Sequence, residues 1–135
     1  MYTVTKEIHF CYGHRLLDYD GACRHLHGHN GKVEVELEQK DLDPRGMVVD
    51  FSEIKQAIGD WIERTLDHNM LLRKDDPLAE LLKQKNERFY LMRDNPTAEA
   101  IAKLIFEYAR SRDLPVTRVT LWENASSFAT YRPED

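Results

Sequence analysis

Apolar and polar residues alternate from the second residue onward. Tyr2, Val4, Ile8, Phe10 and Tyr12 fall on one side, and Thr3, Thr5, Glu7 and His9 on the other, with Lys6 interrupting the apolar set. A period of two marks a strand with one buried face. Carried through Gly13, it sets His14 on the apolar side. A second alternation pairs Val33, Val35 and Leu37 against Lys32, Glu34, Glu36 and Glu38, and predicts a strand over 26–39. Run backwards, its odd positions take in His27 and His29, so two more imidazoles join a face that the apolar residues bury. Between the two strands, Asp18, Asp20 and Gly21 mark a turn within 16–24. Asp43-Pro44-Arg45-Gly46 is a second turn, followed by a short apolar run over 47–49.

The period then changes. Asp50 and Glu53 have capping-box spacing, and Ile54, Ala57, Ile58, Trp61, Ile62 and Leu66 recur at helical intervals, so a helix is expected from near Phe51 to Leu66. Asp67 and His68 follow at its end. Residues 70–94 are highly charged and poorly patterned; they read as an insertion, with a short helix after Pro77. Asn95-Pro96-Thr97-Ala98-Glu99 opens a second main helix, with Pro96 suited to the first helical position and Thr97 available as a cap. Its stripe is Ile101, Leu104, Ile105, Tyr108 and Ala109, and Leu114-Pro115 closes it. A third alternation, over 116–123, puts Thr117, Val119, Leu121 and Glu123 on one face. A tight connection through Ala125 and Ser126 leads to a last strand over 127–132. The order ββααββ predicts an α+β fold: a four-stranded antiparallel sheet with two main helices on one face.

Composition narrows the function classes. The 135 residues suit one domain over 1–135, and 41% hydrophobic with 32% charged residues suits an ordinary globular chain. A net charge of -5, with no dense basic run, argues against nucleic-acid binding. No stretch is apolar for the roughly 20 residues of a membrane helix. The opening residues lack the apolar core of a signal peptide, so a cytoplasmic location is expected, with Cys11 and Cys23 reduced.

The candidate chemistry lies in the histidines. His14, His27 and His29 converge on buried faces within sixteen positions. Three imidazoles around a metal, with a fourth position open to water or substrate, form a catalytic type of zinc site. His25 shares the parity but precedes the strand and reads as a loop residue. Cys23 is either a fourth ligand, closing a structural site, or a thiolate base beside the metal; spacing alone leaves both open. Cys11, on the opposite parity from His14, reads as a packing residue. In the Asp67–His68 pair a carboxylate could orient an imidazole. Glu123 on a buried parity needs a partner, either a donor-rich ligand ring or a nearby Arg.

Six stretches together resemble the 6-pyruvoyltetrahydropterin synthase family over nearly the whole chain. They are Gly13-His14-Arg15, Cys23-x3-His27-Gly-His29, Val49-Asp50-Phe51, Leu66-Asp67-His68, Asn95-Pro96-Thr97-Ala98-Glu99 and Trp122-Glu123. The three-residue spacer between Cys23 and His27 is that of the 6-carboxytetrahydropterin synthase branch. The resemblance implies a T-fold assembled into a ring-like homo-oligomer, commonly a hexamer, with active sites between subunits. It implies Zn2+ on His14, His27 and His29, Cys23 as catalytic base supported by Asp67 and His68, Glu123 as anchor of a pterin ring, and Thr97 in the pocket lining. The activity implied is conversion of 7,8-dihydroneopterin triphosphate to 6-carboxytetrahydropterin, acetaldehyde and triphosphate, on the route to queuosine. The alternatives are the pyruvoyl-type reaction, which keeps the side chain, and a non-catalytic structural zinc module. Asn124, where the family commonly has Thr, and the 70–94 stretch depart from the family pattern.

Overall fold

The two expected N-terminal strands form the centre of the fold. In the computed structural model, which describes residues 1–134, β1 (Tyr2–His14) and β2 (His27–Gln39) pair antiparallel over their full length, from Tyr2 opposite Gln39 to His14 opposite His27. The alternation survives to the end of β1: Phe10, Tyr12 and His14 are buried, whereas His9 and Cys11 are exposed. On β2, Val33, Val35 and Leu37 are fully buried.

The first helix, α1, spans residues 51–65 and is α-helical over Phe51–Ile54 and Asp60–Thr65, with a π turn over Lys55–Gly59 between them. Asp50 caps it, its side chain accepting from the Ser52 amide at 2.8 Å. Glu53 does not complete a capping box; it accepts from Arg45 at 3.0 Å instead, because the 43–46 turn brings that guanidinium across. β3 (Asn69–Arg73), α2 (Leu78–Gln84) and β4 (Phe89–Met92) follow, then α3 (Ala98–Ser111), β5 (Val116–Asn124) and β6 (Ser127–Tyr131).

Two expectations need correction here. Among the described residues the sheet is mixed and six-stranded, in the order β4-β3-β1-β2-β5-β6, rather than four-stranded and antiparallel, and three helices accompany it. The segment 70–94 supplies the difference: β3 runs parallel to β1 (Tyr12 opposite Asn69) and β4 runs parallel to β3. At five and four residues, strands this short leave little alternation to read. Secondly, Pro96 precedes the cap of α3 rather than occupying its first turn. Thr97 is the cap, with Oγ1 accepting from the Ala100 amide at 3.1 Å, and its extended backbone is what lets it do so.

One core joins these elements. Ile54, Ile58, Ile62 and Leu66 of the first helical segment, and Ile101, Ile105 and Ala109 of α3, pack with Val33, Val35, Leu37, Val119 and Leu121 of the sheet. Trp61 stacks on Tyr108 at 4.1 Å between ring centroids, fastening the two long helices to each other. No described helix is long and apolar enough to cross a membrane.

Candidate metal centre

The same alternation that builds the core delivers three imidazoles to its end. His14 lies directly across the ladder from His27, and His29 lies across from Tyr12. The ring centroids are 4.4 Å apart for His14–His27, 5.1 Å for His14–His29 and 5.2 Å for His27–His29. One ligand nitrogen from each lies within 4.8 Å of the others. Gly28 makes this spacing possible, since a Cβ there would stand 2.8 Å from the Tyr12 carbonyl oxygen.

Backbone carbonyls orient two of the rings. His14 Nδ1 lies 2.6 Å from the Pro96 carbonyl oxygen, and His27 Nδ1 lies 2.8 Å from that of His25. With Nδ1–H donating to a carbonyl, the lone pair is left on Nε2, the usual second-shell arrangement around a metal-bound histidine. The Nε2 atoms of His14 and His29 are buried without any hydrogen-bond partner. Leaving such a group unpaired costs about 1–3 kcal/mol. Burial pushes the His14 imidazole down to about 4, helped by the neighbouring His27 and His29 and opposed by the Pro96 carbonyl, so it is neutral and ligand-ready at pH 7. Converging nitrogen donors, with His14 among them buried and neutral, fit a divalent transition-metal ion.

Glu123 Oε2 lies 3.6 Å from His29 Nε2, and no Arg pairs with it among the described residues. Of its two expected partners, the ligand ring is the one beside it. Trp122, next in sequence, turns to the other face, where its indole N–H donates to Glu34 and Lys32 Nζ lies 4.9 Å from its ring. The alternation counts Tyr12 as one more apolar position, yet its ring lies 5.2 Å from His14 and 5.7 Å from His29, and its buried hydroxyl has no partner. A tyrosine two positions before a ligand histidine, on the same strand face, was the available signal. Burial first, and then Glu123, raises its pKa, so the phenol stays protonated.

Cys23 stands apart from the converging donors. It lies half-buried in a 3-10 turn, Ala22–Arg24, outside the three-histidine cluster. His25 is a loop residue, as expected. Cys11 is exposed rather than packed, because its parity points it away from the core, and its thiol donates to Asn30 Oδ1 at 2.9 Å. Asp67 and His68 do form a pair, Oδ2 to Nδ1 at 2.9 Å. Although burial opposes it, hydrogen bonds from the Cys11 amide and from His68 hold the Asp67 carboxyl below its usual range. His68 itself sits at φ 57°, a left-handed conformation uncommon for histidine, with its amide donating to the Cys11 carbonyl at 2.6 Å. No hydrogen bond among the described residues joins this pair to Cys23 or to the three histidines.

Two clefts meet at residues 28–30. One, of about 550 Å³, is lined by Cys11, His29, Asn30, His68 and Arg88. The other, of about 700 Å³, is lined by His29, Lys32, Trp122 and Glu123. Cavities of this size suit a small organic ligand.

Comparison with known proteins agrees with this architecture. The chain is 40% identical over 106 residues to the 6-carboxy-5,6,7,8-tetrahydropterin synthase of Rickettsia typhi, covering 76% of this chain and 75% of that one. An uncharacterized protein of Wolinella succinogenes superposes with a TM-score of 0.86 at 30% identity, covering 98% of each chain. The 6-pyruvoyl tetrahydropterin synthase of Caenorhabditis elegans superposes at 0.74 and 26% identity, covering 98% of this chain and 96% of that one. The model of the 6-pyruvoyl tetrahydropterin synthase family matches residues 3–134, and this chain belongs to that family.

Proposed function

We propose that the protein is a zinc-dependent 6-carboxy-5,6,7,8-tetrahydropterin synthase, converting 7,8-dihydroneopterin triphosphate and one water to 6-carboxytetrahydropterin, acetaldehyde and triphosphate. The observation that carries the chemistry is the converging trio of buried His14 with half-buried His27 and His29, with two unpartnered Nε2 atoms beside a carboxylate. The relative in Rickettsia typhi, which bears the carboxy-type name, supports that branch over the pyruvoyl one.

His14, His27 and His29 would hold the zinc. A bound zinc ion supplies Lewis-acid polarisation of the side-chain hydroxyls, which acidifies the adjacent carbon positions. Glu123 accepts the 2-amino and ring N–H donors of the pterin in charge-assisted hydrogen bonds, which fixes the ring and therefore the reach of its side chain. Cys23, outside the donor cluster, takes up a proton as a thiolate. The Asp67 carboxylate holds the His68 imidazole through Nδ1, leaving Nε2 free to exchange a proton with that thiol. Thr97 caps α3 one residue from the carbonyl that orients His14, at the edge of the pterin pocket.

Among the described residues of one chain, the Asp67–His68 pair and Cys23 make no hydrogen bond to one another. That separation supports active sites completed between neighbouring copies in a homo-oligomer such as a hexamer.

Product analysis tests the proposal. Incubation of the zinc-loaded protein with 7,8-dihydroneopterin triphosphate is expected to yield acetaldehyde and 6-carboxytetrahydropterin by mass spectrometry. A product that retains its side chain would sink the carboxy assignment. Cys23→Ala is expected to keep its zinc and its melting temperature while losing turnover; zinc loss with unfolding would identify Cys23 as a structural ligand instead.

A further inference from the structure

Three buried side-chain polar atoms among the described residues have no hydrogen-bond partner: His14 Nε2, His29 Nε2 and the Tyr12 hydroxyl. All three belong to one cluster of rings. The two nitrogens are lone-pair donors and are accounted for by a metal ion. The phenol is a proton donor, and a cation cannot satisfy it; it needs an oxygen or nitrogen lone pair.

Packing alone does not ask for this hydroxyl. Phe10, two residues earlier on the same face, is equally buried and fills its place without one. The ring of Tyr12 is also tightly held. It stacks on Phe10 at 5.1 Å with 25° between planes, and it lies over Gly31, where an added Cβ would stand 3.1 Å from Tyr12 Cε1. Gly31 thus provides the space that the ring occupies, and the hydroxyl is fixed in place before any ligand arrives. Glu123 is near enough to influence the phenol, but no hydrogen bond joins them.

We infer that Tyr12 is a further binding residue of the metal centre, its hydroxyl donating a hydrogen bond to the oxygen ligand, water or a substrate hydroxyl, that completes the coordination of zinc on His14, His27 and His29. The inference rests on the zinc reading above. It makes Tyr12 a group that holds the exchangeable oxygen rather than the metal itself.

Tyr12→Phe in the full-length protein tests it, because only one oxygen atom is removed. Zinc affinity is read by chelator competition, the coordination sphere by the visible spectrum of the cobalt(II)-loaded protein, and the metal-free fold by its melting temperature. The expected result is a metal-free variant that melts no lower than wild type, since the lost hydroxyl had no protein partner. Zinc binding should weaken about tenfold, as for loss of an outer-shell partner, and the cobalt spectrum should change. Zinc affinity and cobalt spectrum both unchanged would overturn the inference, and so would a lowered melting temperature of the metal-free variant. A wild-type protein that takes up no zinc would instead defeat the metal reading on which the inference rests.

Discussion

His14 and Arg15 are neighbours in the chain and lead into two buried polar regions of opposite character. Arg15 grips Asp76 with two contacts, Nε to Oδ2 at 2.8 Å and Nη2 to Oδ1 at 2.5 Å, and Asp76 Oδ1 also accepts from the Leu78 amide at 2.9 Å. That carboxylate is 3% exposed, and every contact it makes is internal. His14 is equally buried, yet its Nε2 faces two more imidazoles and has no partner. A polar group buried with its partners serves the fold; one buried without them is held open for something the chain does not contain. The contrast separates structure from site within two consecutive residues.

Removing one side chain from each region should therefore fail in different ways. The largest effect is expected at the histidines. His27→Ala should weaken zinc binding on the order of a hundredfold or more, since it removes one of the three protein ligands that hold the ion. Chelator competition would show it, and an unchanged affinity would mean that the trio is not the metal site. Next comes Asp76→Ala, which strands Arg15 and removes the acceptor at the start of α2. Arg15 is partly solvated, so the expected cost is about 2–3 kcal/mol in urea unfolding, with zinc stoichiometry unchanged.

Acid should distinguish the regions again, in metal-free protein. His14 is depressed to about 4, below the ordinary histidine value of about 6.5. The unfolded chain therefore binds its proton first, and stability is lost as pH falls from about 6.5 towards 4. Arg15 holds the Asp76 carboxyl below the usual carboxylate range, so that contribution persists to lower pH and goes only as the carboxyl takes a proton. Urea midpoints of wild type and His14→Phe should diverge in the first window; those of wild type and Asp76→Asn should converge in the second. The smallest effect is Thr97→Ala, which removes the cap of α3 at a cost of about 1 kcal/mol in the same unfolding measurement.

How far these features were legible beforehand depended on the range of the interactions behind them. Strand parity placed His14, His27, His29 and Glu123 correctly, because a period of two is a local property. Both long helices followed from their stripes, and Asp50 and Thr97 do cap them. β3 and β4 were missed because their pairing is parallel and brings Tyr12 beside Asn69 from far along the chain. Pro96 does not take the first helical position of α3, because Thr97 after it is the cap and both residue types suit a helix start. The alternation sets Tyr12 on the right face, but that its hydroxyl lacks a partner depends on packing between residues distant in the chain. Parity could not assign Cys23 either, because it lies in a turn rather than on a strand.

Gly28 carries a consequence for how such a site changes over generations. The span between the imidazole-bearing backbones is set by a ladder that a side chain at 28 would force open. Shifting one strand by a single residue would not adjust that span; it would turn all of that strand's side chains to the other face. A lineage can abolish this centre with one substitution, but it has no gradual route to a slightly wider or narrower one. The trio is inherited whole or lost.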